Sequence, residues 1–184
     1  MKRATMALTA LGLLAAVGSL ALAGHAAATM SISSGDFGPE GPMPKSGYNA
    51  RCGGQDVSPR LSWGGAPRGA RSLVLTMIDQ DVKPSKWSHW IIVDLPVSSG
   101  GLPQHMGAAH PPAAGVVSGM GKDIYQGPCP PHFTGLHHYV FTLWAMPQAH
   151  TAIAAKARAD EVEAMLRKTA LASASTTATA TQDQ

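Results

Sequence analysis

Three short clusters hold most of the residues that could do chemistry in this chain. They are Asp79-Gln80-Asp81, then Trp87-Ser88-His89-Trp90, then Gly127-Pro128-Cys129-Pro130-Pro131 followed by Leu136-His137-His138-Tyr139. Together they supply carboxylates, imidazoles, a phenol and a glycine N–H. Brought to one point, two imidazole N–H groups and a backbone N–H would converge on an oxyanion. A carboxylate belongs one layer behind such donors, where it accepts from the far nitrogen of a histidine and favours the charged ring. Phosphate or another oxyanion would then bind without lysine or arginine. The same residues admit other readings. His89, His137 and Asp79 could serve a metal-dependent hydrolase as a zinc set, although no His-Glu-x-x-His spacing occurs. An interaction protein with a vestigial site is the remaining alternative.

Convergence requires that neighbouring strands end together. Ser72–Asp79 is apolar on both faces, as a buried central strand would be. His89–Leu95 is similar and ends at Pro96, and Tyr139–Ala145 is rich in aromatic and β-branched residues. Residues 31–33 and 61–63 are shorter candidates. No gap between these runs carries a convincing crossover helix, so the expected fold is mainly β, a largely antiparallel β-sandwich. A helix is expected late. Asp160 and Glu163 resemble a capping box, and Val162, Met165, Leu166 and Thr169 share one face at helical spacing. Residues 98–120 read as a long loop in which His105 and His110 are solvated. Residues 173–184, mostly Ala, Ser and Thr, read as a disordered tail.

The chain has 184 residues, which suits one domain. Its hydrophobic fraction of 45% can build a core, and its 20 Gly and 14 Pro favour short strands and tight turns over a helical bundle. Residues 1–28 form a separate segment. Lys2 and Arg3 precede an uncharged Leu/Ala/Val-rich run that ends in small residues, the pattern of a secretory signal peptide cleaved after Ala26 or Ala28. No Cys follows that site to carry a lipid. Removing Lys2 and Arg3 lowers the formal net charge from +3 to +1, which argues against nucleic acid as a partner. The mature chain is expected to be periplasmic or secreted, with no stable membrane insertion after cleavage. In an oxidising compartment the even count, Cys52 and Cys129, suggests a disulfide, with two separate thiols as the alternative.

Five ordered motifs resemble the phosphatidylethanolamine-binding protein family, and its bacterial Raf kinase inhibitor-like branch in particular. They are Asp56-Val57-Ser58-Pro59-Arg60-Leu61-Ser62-Trp63, Asp79-Gln80-Asp81 with Pro84, Trp87-Ser88-His89-Trp90, Gly127–Pro131 and Leu136–Tyr139. The resemblance spans residues 32–171. It implies a β-sandwich with a C-terminal helix, short peripheral helices and a small anion-binding cavity near one end. It implies that Asp79, His89, Gly127, His137 and Tyr139 line that cavity, with Asp81 and Pro128 beside it and Trp87 and Trp90 in the wall. Paired cysteines like Cys52 and Cys129 also look typical of exported bacterial members. There are departures: Gln80 stands where the family has Pro, Ser88 and His138 where His and Arg are usual, and Asp56 where Asn is usual. The implied function is non-enzymatic and without cofactor or metal. A small anionic ligand or phospholipid head group is the expected partner. An envelope protein or protease and a second copy of the chain are further candidates.

Overall fold

A segment with no polar face, such as Ser72–Asp79, can be buried only between two other strands and between two packed layers. It becomes the central strand here. The computed structural model describes residues 29–106, 115–117 (backbone only), 124–154 and 157–182. Its strands in chain order are β1 (Ser31–Ser34), β2 (Gly41–Pro42), β3 (Leu61–Gly64), β4 (Ser72–Asp79), β5 (Trp87–Leu95), β6 (Gly101–Leu102), β7 (Gly115–Val117), β8 (His137–Met146) and β9 (Ala172–Ala180). Short 3-10 turns at Lys45–Gly47 and Ala50–Cys52 separate β2 from β3, and helix α1 (Ala159–Thr169) precedes β9.

The larger sheet runs β2-β9-β8-β4-β5-β7 and the smaller β1-β3-β6. Every pairing is antiparallel except the short contact of β2 with β9. Alternation sorts the central strand between two cores. Leu73, Leu75 and Met77 join the core that also holds Ile32 and Leu61 of the smaller sheet. Val74 points to the other face, where Ile91, Val93 and Trp144 pack on Val162 and Leu166 of α1. The expected strands and β-sandwich are therefore present.

Two expectations are corrected. The expected disordered tail, residues 173–184, is in its described part mostly a strand: Ala172–Ala180 is paired along its whole length with β8. Its composition is low in complexity but alternates. Ala172, Ala174 and Ala178 lie on the side that faces the core, and Ser173, Ser175 and Thr177 lie on the opposite side. The Thr142 and Ser175 hydroxyls bond at 2.9 Å across that outer side. Asp160 and Glu163 also form no capping box. Arg158 is the N-cap and makes no side-chain cap bond. Asp160 pairs instead with the Arg158 guanidinium at 2.9 Å, and Glu163 lies on the buried side, where it accepts from Lys86 at 2.6 Å. Opposite charge nearby outcompetes the backbone N–H groups for both carboxylates. The expected loop contains β6 and β7. His110, like the expected signal segment 1–28, lies outside the described residues.

Candidate functional site

Because β8, β4 and β5 are adjacent, the three polar clusters end side by side. Asp79 faces Trp87 across one ladder and Tyr139 across the other. His89 reaches the same place through a β-bulge. Met77 opposes Trp90 while Ile78 opposes Ser88, so His89 is the extra residue. Strict alternation would have put His89 on the face of Ile91 under α1. The bulge re-aims it, and its ring meets that of Tyr139 edge-on at 5.1 Å.

The strand ends open onto a cavity of about 480 Å³. Of the expected residues, Asp79, Trp87, His89, Gly127 and Tyr139 line it, as do Asn49, Arg51, Asp56 and Gln126. Asp81, Trp90, Pro128 and His137 do not. Asp81 turns away and accepts from the His138 backbone N–H at 2.7 Å and ring Nδ1 at 2.9 Å. Partial burial pushes the Asp81 carboxyl up, but these bonds hold it below its ordinary value. Pro128 supports the wall, its carbonyl accepting from Asn49 N at 2.9 Å.

The order of layers expected for a histidine and its carboxylate is reversed. Asp79 faces the cavity and His137 lies behind it, bonded through Nδ1 to Asp79 Oδ2 at 2.8 Å. The other His137 nitrogen lies 2.9 Å from Thr134 Oγ1. That hydroxyl also bonds the Pro131 carbonyl at 2.7 Å. His137 and Asp79 thus form a buried, hydrogen-bonded pair. Asp79 Oδ1 accepts from Asp81 N at 2.9 Å.

His89 is held differently. Its Nδ1 bonds the Gln126 carbonyl at 3.0 Å, leaving Nε2 as the other ring nitrogen. Burial pushes its pKa below the ordinary 6.5, against the opposing pull of the Gln126 carbonyl and of the Asp79 charge. The Tyr139 hydroxyl is buried and makes no hydrogen bond of normal geometry, although the Asp79 carboxylate and the Cys129 backbone are close enough to act on it. Burial first, and the charge of Asp79 second, push its pKa far above the ordinary 10.0, so it stays protonated.

Asp56 was legible only as a departure from a motif, yet it organises one wall. Its Oδ1 accepts from Asn49 Nδ2 at 3.1 Å and from Gly127 N at 2.8 Å, and its Oδ2 accepts from Ala50 N at 3.0 Å. The Gly127 N–H, expected to meet a ligand, is therefore spent inside the protein. Residue 127 must be glycine for another reason: a Cβ there would run into the backbone of Gly47–Asn49. Asn49 and Arg51 were missed because nothing in their local sequence marks them. Cys52, in the turn that carries Ala50 and Arg51, is disulfide-bonded to Cys129 of the opposite wall, 77 residues away. The Gln182 side-chain amide lies against both sulfurs.

No group of three or more His, Cys, Asp or Glu suited to a metal ion occurs among the described residues. His89, His137 and Asp79 thus do not gather as the zinc alternative required. Nor is any described helix long and apolar enough to cross a membrane.

Two largely antiparallel sheets packed face to face, with a cavity at the shared end of the central strands, define a β-sandwich class of protein. The family model described as "Phosphatidylethanolamine-binding protein" matches residues 33–181. A UPF0098 protein of Methanothermobacter thermautotrophicus is 36% identical over 139 residues, covering 74% of this chain and 89% of that protein. A Mycobacterium tuberculosis protein named as a putative lipoprotein, LppC, is 36% identical over 126 residues, 67% of this chain and 59% of its own length. The crystal structure of Escherichia coli YbcL, described as a new member of the mammalian PEBP family, superposes with a TM-score of 0.75 at 27% identity. That match covers 84% of this chain and 99% of the YbcL chain. The chain belongs to the phosphatidylethanolamine-binding protein family.

Proposed function

We propose that this chain is an exported, non-enzymatic binding protein whose cavity takes a small phosphate-type group, free or as a phospholipid head group. One observation carries the reading: the Tyr139 hydroxyl is buried, protonated and makes no hydrogen bond of normal geometry within the protein, on a residue that lines the cavity. Buried polar groups are nearly always satisfied, and the exceptions call for an explanation. A ligand oxygen supplies one here.

The surrounding charges suit that ligand. Asp79 is engaged by His137 and by the Asp81 backbone N–H, and Asp56 is satisfied by three N–H donors. Arg51 adds a cation at the wall. His89 is neutral when the site is empty, and an anion against Nε2 favours its protonation, turning that nitrogen into a second donor. Ligand affinity should therefore rise as pH falls. The family's own description points to the same chemistry. Export is supported by the pattern of residues 1–28 and by the lipoprotein name of one relative.

Calorimetric titration with glycerophosphoethanolamine tests the reading. A phosphodiester keeps one negative charge across the range in which His89 titrates, so any pH dependence belongs to the protein. Saturable binding that strengthens from about pH 8 to about pH 6 is expected. No heat at millimolar ligand, or binding that weakens as pH falls, contradicts it.

A further inference from the structure

We propose that Glu163, on helix α1, is a positioning residue for this cavity: by holding the turn between β4 and β5 it sets where Val82 and Trp87 stand in the wall. The proposal rests on the binding reading above and adds to it a determinant of affinity that lies outside the cavity. Its first observation is a carboxylate on the apolar side of a helix. Ala159, Val162, Glu163 and Leu166 make the buried face of α1, and Glu163 is only 7% exposed. An apolar residue of similar size would cover the sheet there without the cost of taking a charge out of water. Glu163 therefore calls for a role besides packing.

The second observation is what Glu163 holds. Its Oε2 accepts from Lys86 Nζ at 2.6 Å, and its Oε1 accepts from the Gln80 side-chain amide at 3.4 Å. Arg167, one turn further along α1, approaches the same carboxylate at 3.9 Å. Gln80 and Lys86 are the first and last residues between β4 and β5. One carboxylate thus clasps both ends of the turn. Val82 lies inside that turn and Trp87 follows it directly, and both line the cavity.

The third observation is Gln80 itself, which stands where the family pattern has proline. A proline would lend the turn a fixed φ but has no N–H to give. Gln80 instead donates its backbone N–H to the His138 carbonyl at 3.1 Å and its side-chain amide to Glu163. Hydrogen bonds and an ion pair here replace the constraint of a ring, and they tie the cavity wall to α1 on the far face of the sheet.

The experiment is calorimetric titration of the unsubstituted chain, Glu163→Gln, Lys86→Met and the double variant with glycerophosphoethanolamine. The signs separate positioning from charge. A field acting on the bound phosphate would move the two single variants in opposite directions: loss of the Lys86 cation weakens binding and loss of the Glu163 anion strengthens it. Positioning weakens both, each by about three- to tenfold, and leaves the double variant no weaker than the worse single one, because both substitutions remove the same contact. In the empty protein the Val82 methyl signals should move in both variants, while the Asn49 side-chain amide, elsewhere in the wall, keeps its position. Opposite affinity shifts, or an unchanged affinity in either single variant, overturn the proposal. Lys86 is only half-buried, so Lys86→Met keeps the fold. If Glu163→Gln does not fold, Lys86→Met decides: unmoved Val82 signals overturn the proposal. Failure of the unsubstituted chain to bind the ligand strikes the binding reading itself, a result distinct from any of these.

Discussion

Replacing Tyr139 by Phe separates what the hydroxyl does for the fold from what it does for a ligand. The side chain is fully buried, and its oxygen makes no hydrogen bond of normal geometry in the protein. Stripping water from such a group without a replacement bond costs about 1–3 kcal/mol, and removing the hydroxyl returns that amount to the folded state. For a chain of this size each kcal/mol moves the thermal midpoint by about 2–4 °C, so Tyr139→Phe should melt a few degrees higher. Binding should move the other way. A hydrogen bond to a charged oxygen contributes about 1.5–3 kcal/mol, which corresponds to a roughly ten- to hundredfold weaker affinity. Near-ultraviolet circular dichroism of the empty protein reads the first effect, and calorimetry with glycerophosphoethanolamine reads the second. A variant that melts lower and binds as well as the parent would refute the reasoning, because the hydroxyl would then be serving the core.

His89 makes stability depend on pH. Its folded pKa lies below the ordinary 6.5, so the unfolded chain takes up protons first as pH falls. Stability should be full above about pH 6.5 and decline below it, and His89→Gln should flatten that decline in urea midpoints measured from about pH 7.5 to about pH 5. Ending the chain after Leu171 should leave it insoluble or unfolded, because β8 loses its ladder partner and the core side of Tyr139 and Phe141 is uncovered. A soluble truncation with an unchanged melting curve would show β9 to be dispensable. Breaking the Cys52–Cys129 bond by the double serine variant opens a 77-residue closure and should lower the unfolding free energy by about 4 kcal/mol in urea titrations. No loss would mean that other contacts already hold these two walls together.

The fold was legible where composition and period agreed. The core strands β4, β5 and β8 are dense in Val, Ile, Leu and aromatics, and their polar ends pointed to a shared edge. β9 was hidden because Ala, Ser and Thr contribute little hydrophobic contrast. Its alternation was the usable signal, and only the partner strand turns that alternation into buried area. Asp79, His89 and Tyr139 were legible because chemistry-bearing residues at strand ends are conspicuous. Their arrangement was not. The bulge that swings His89 inward depends on a register slip between two strands, and no local pattern encodes it. His137 shares the side of β8 that holds Tyr139, yet its ring is turned back between Asp79 and Thr134 by hydrogen bonds to distant and loop residues. Asp56 takes the Gly127 N–H across 71 positions of chain, a contact that motif spacing cannot reveal.

The ring signals of His89 during a nuclear magnetic resonance titration with glycerophosphoethanolamine test most directly whether the cavity receives a phosphate-type group. We predict saturable shifts at His89 and Tyr139, a His89 titration curve displaced to higher pH, and His137 nearly unmoved behind Asp79. Rings that keep their positions at millimolar ligand, or shifts confined to His105, His132 and His150, would contradict the claim that this cavity receives a phosphate-type group.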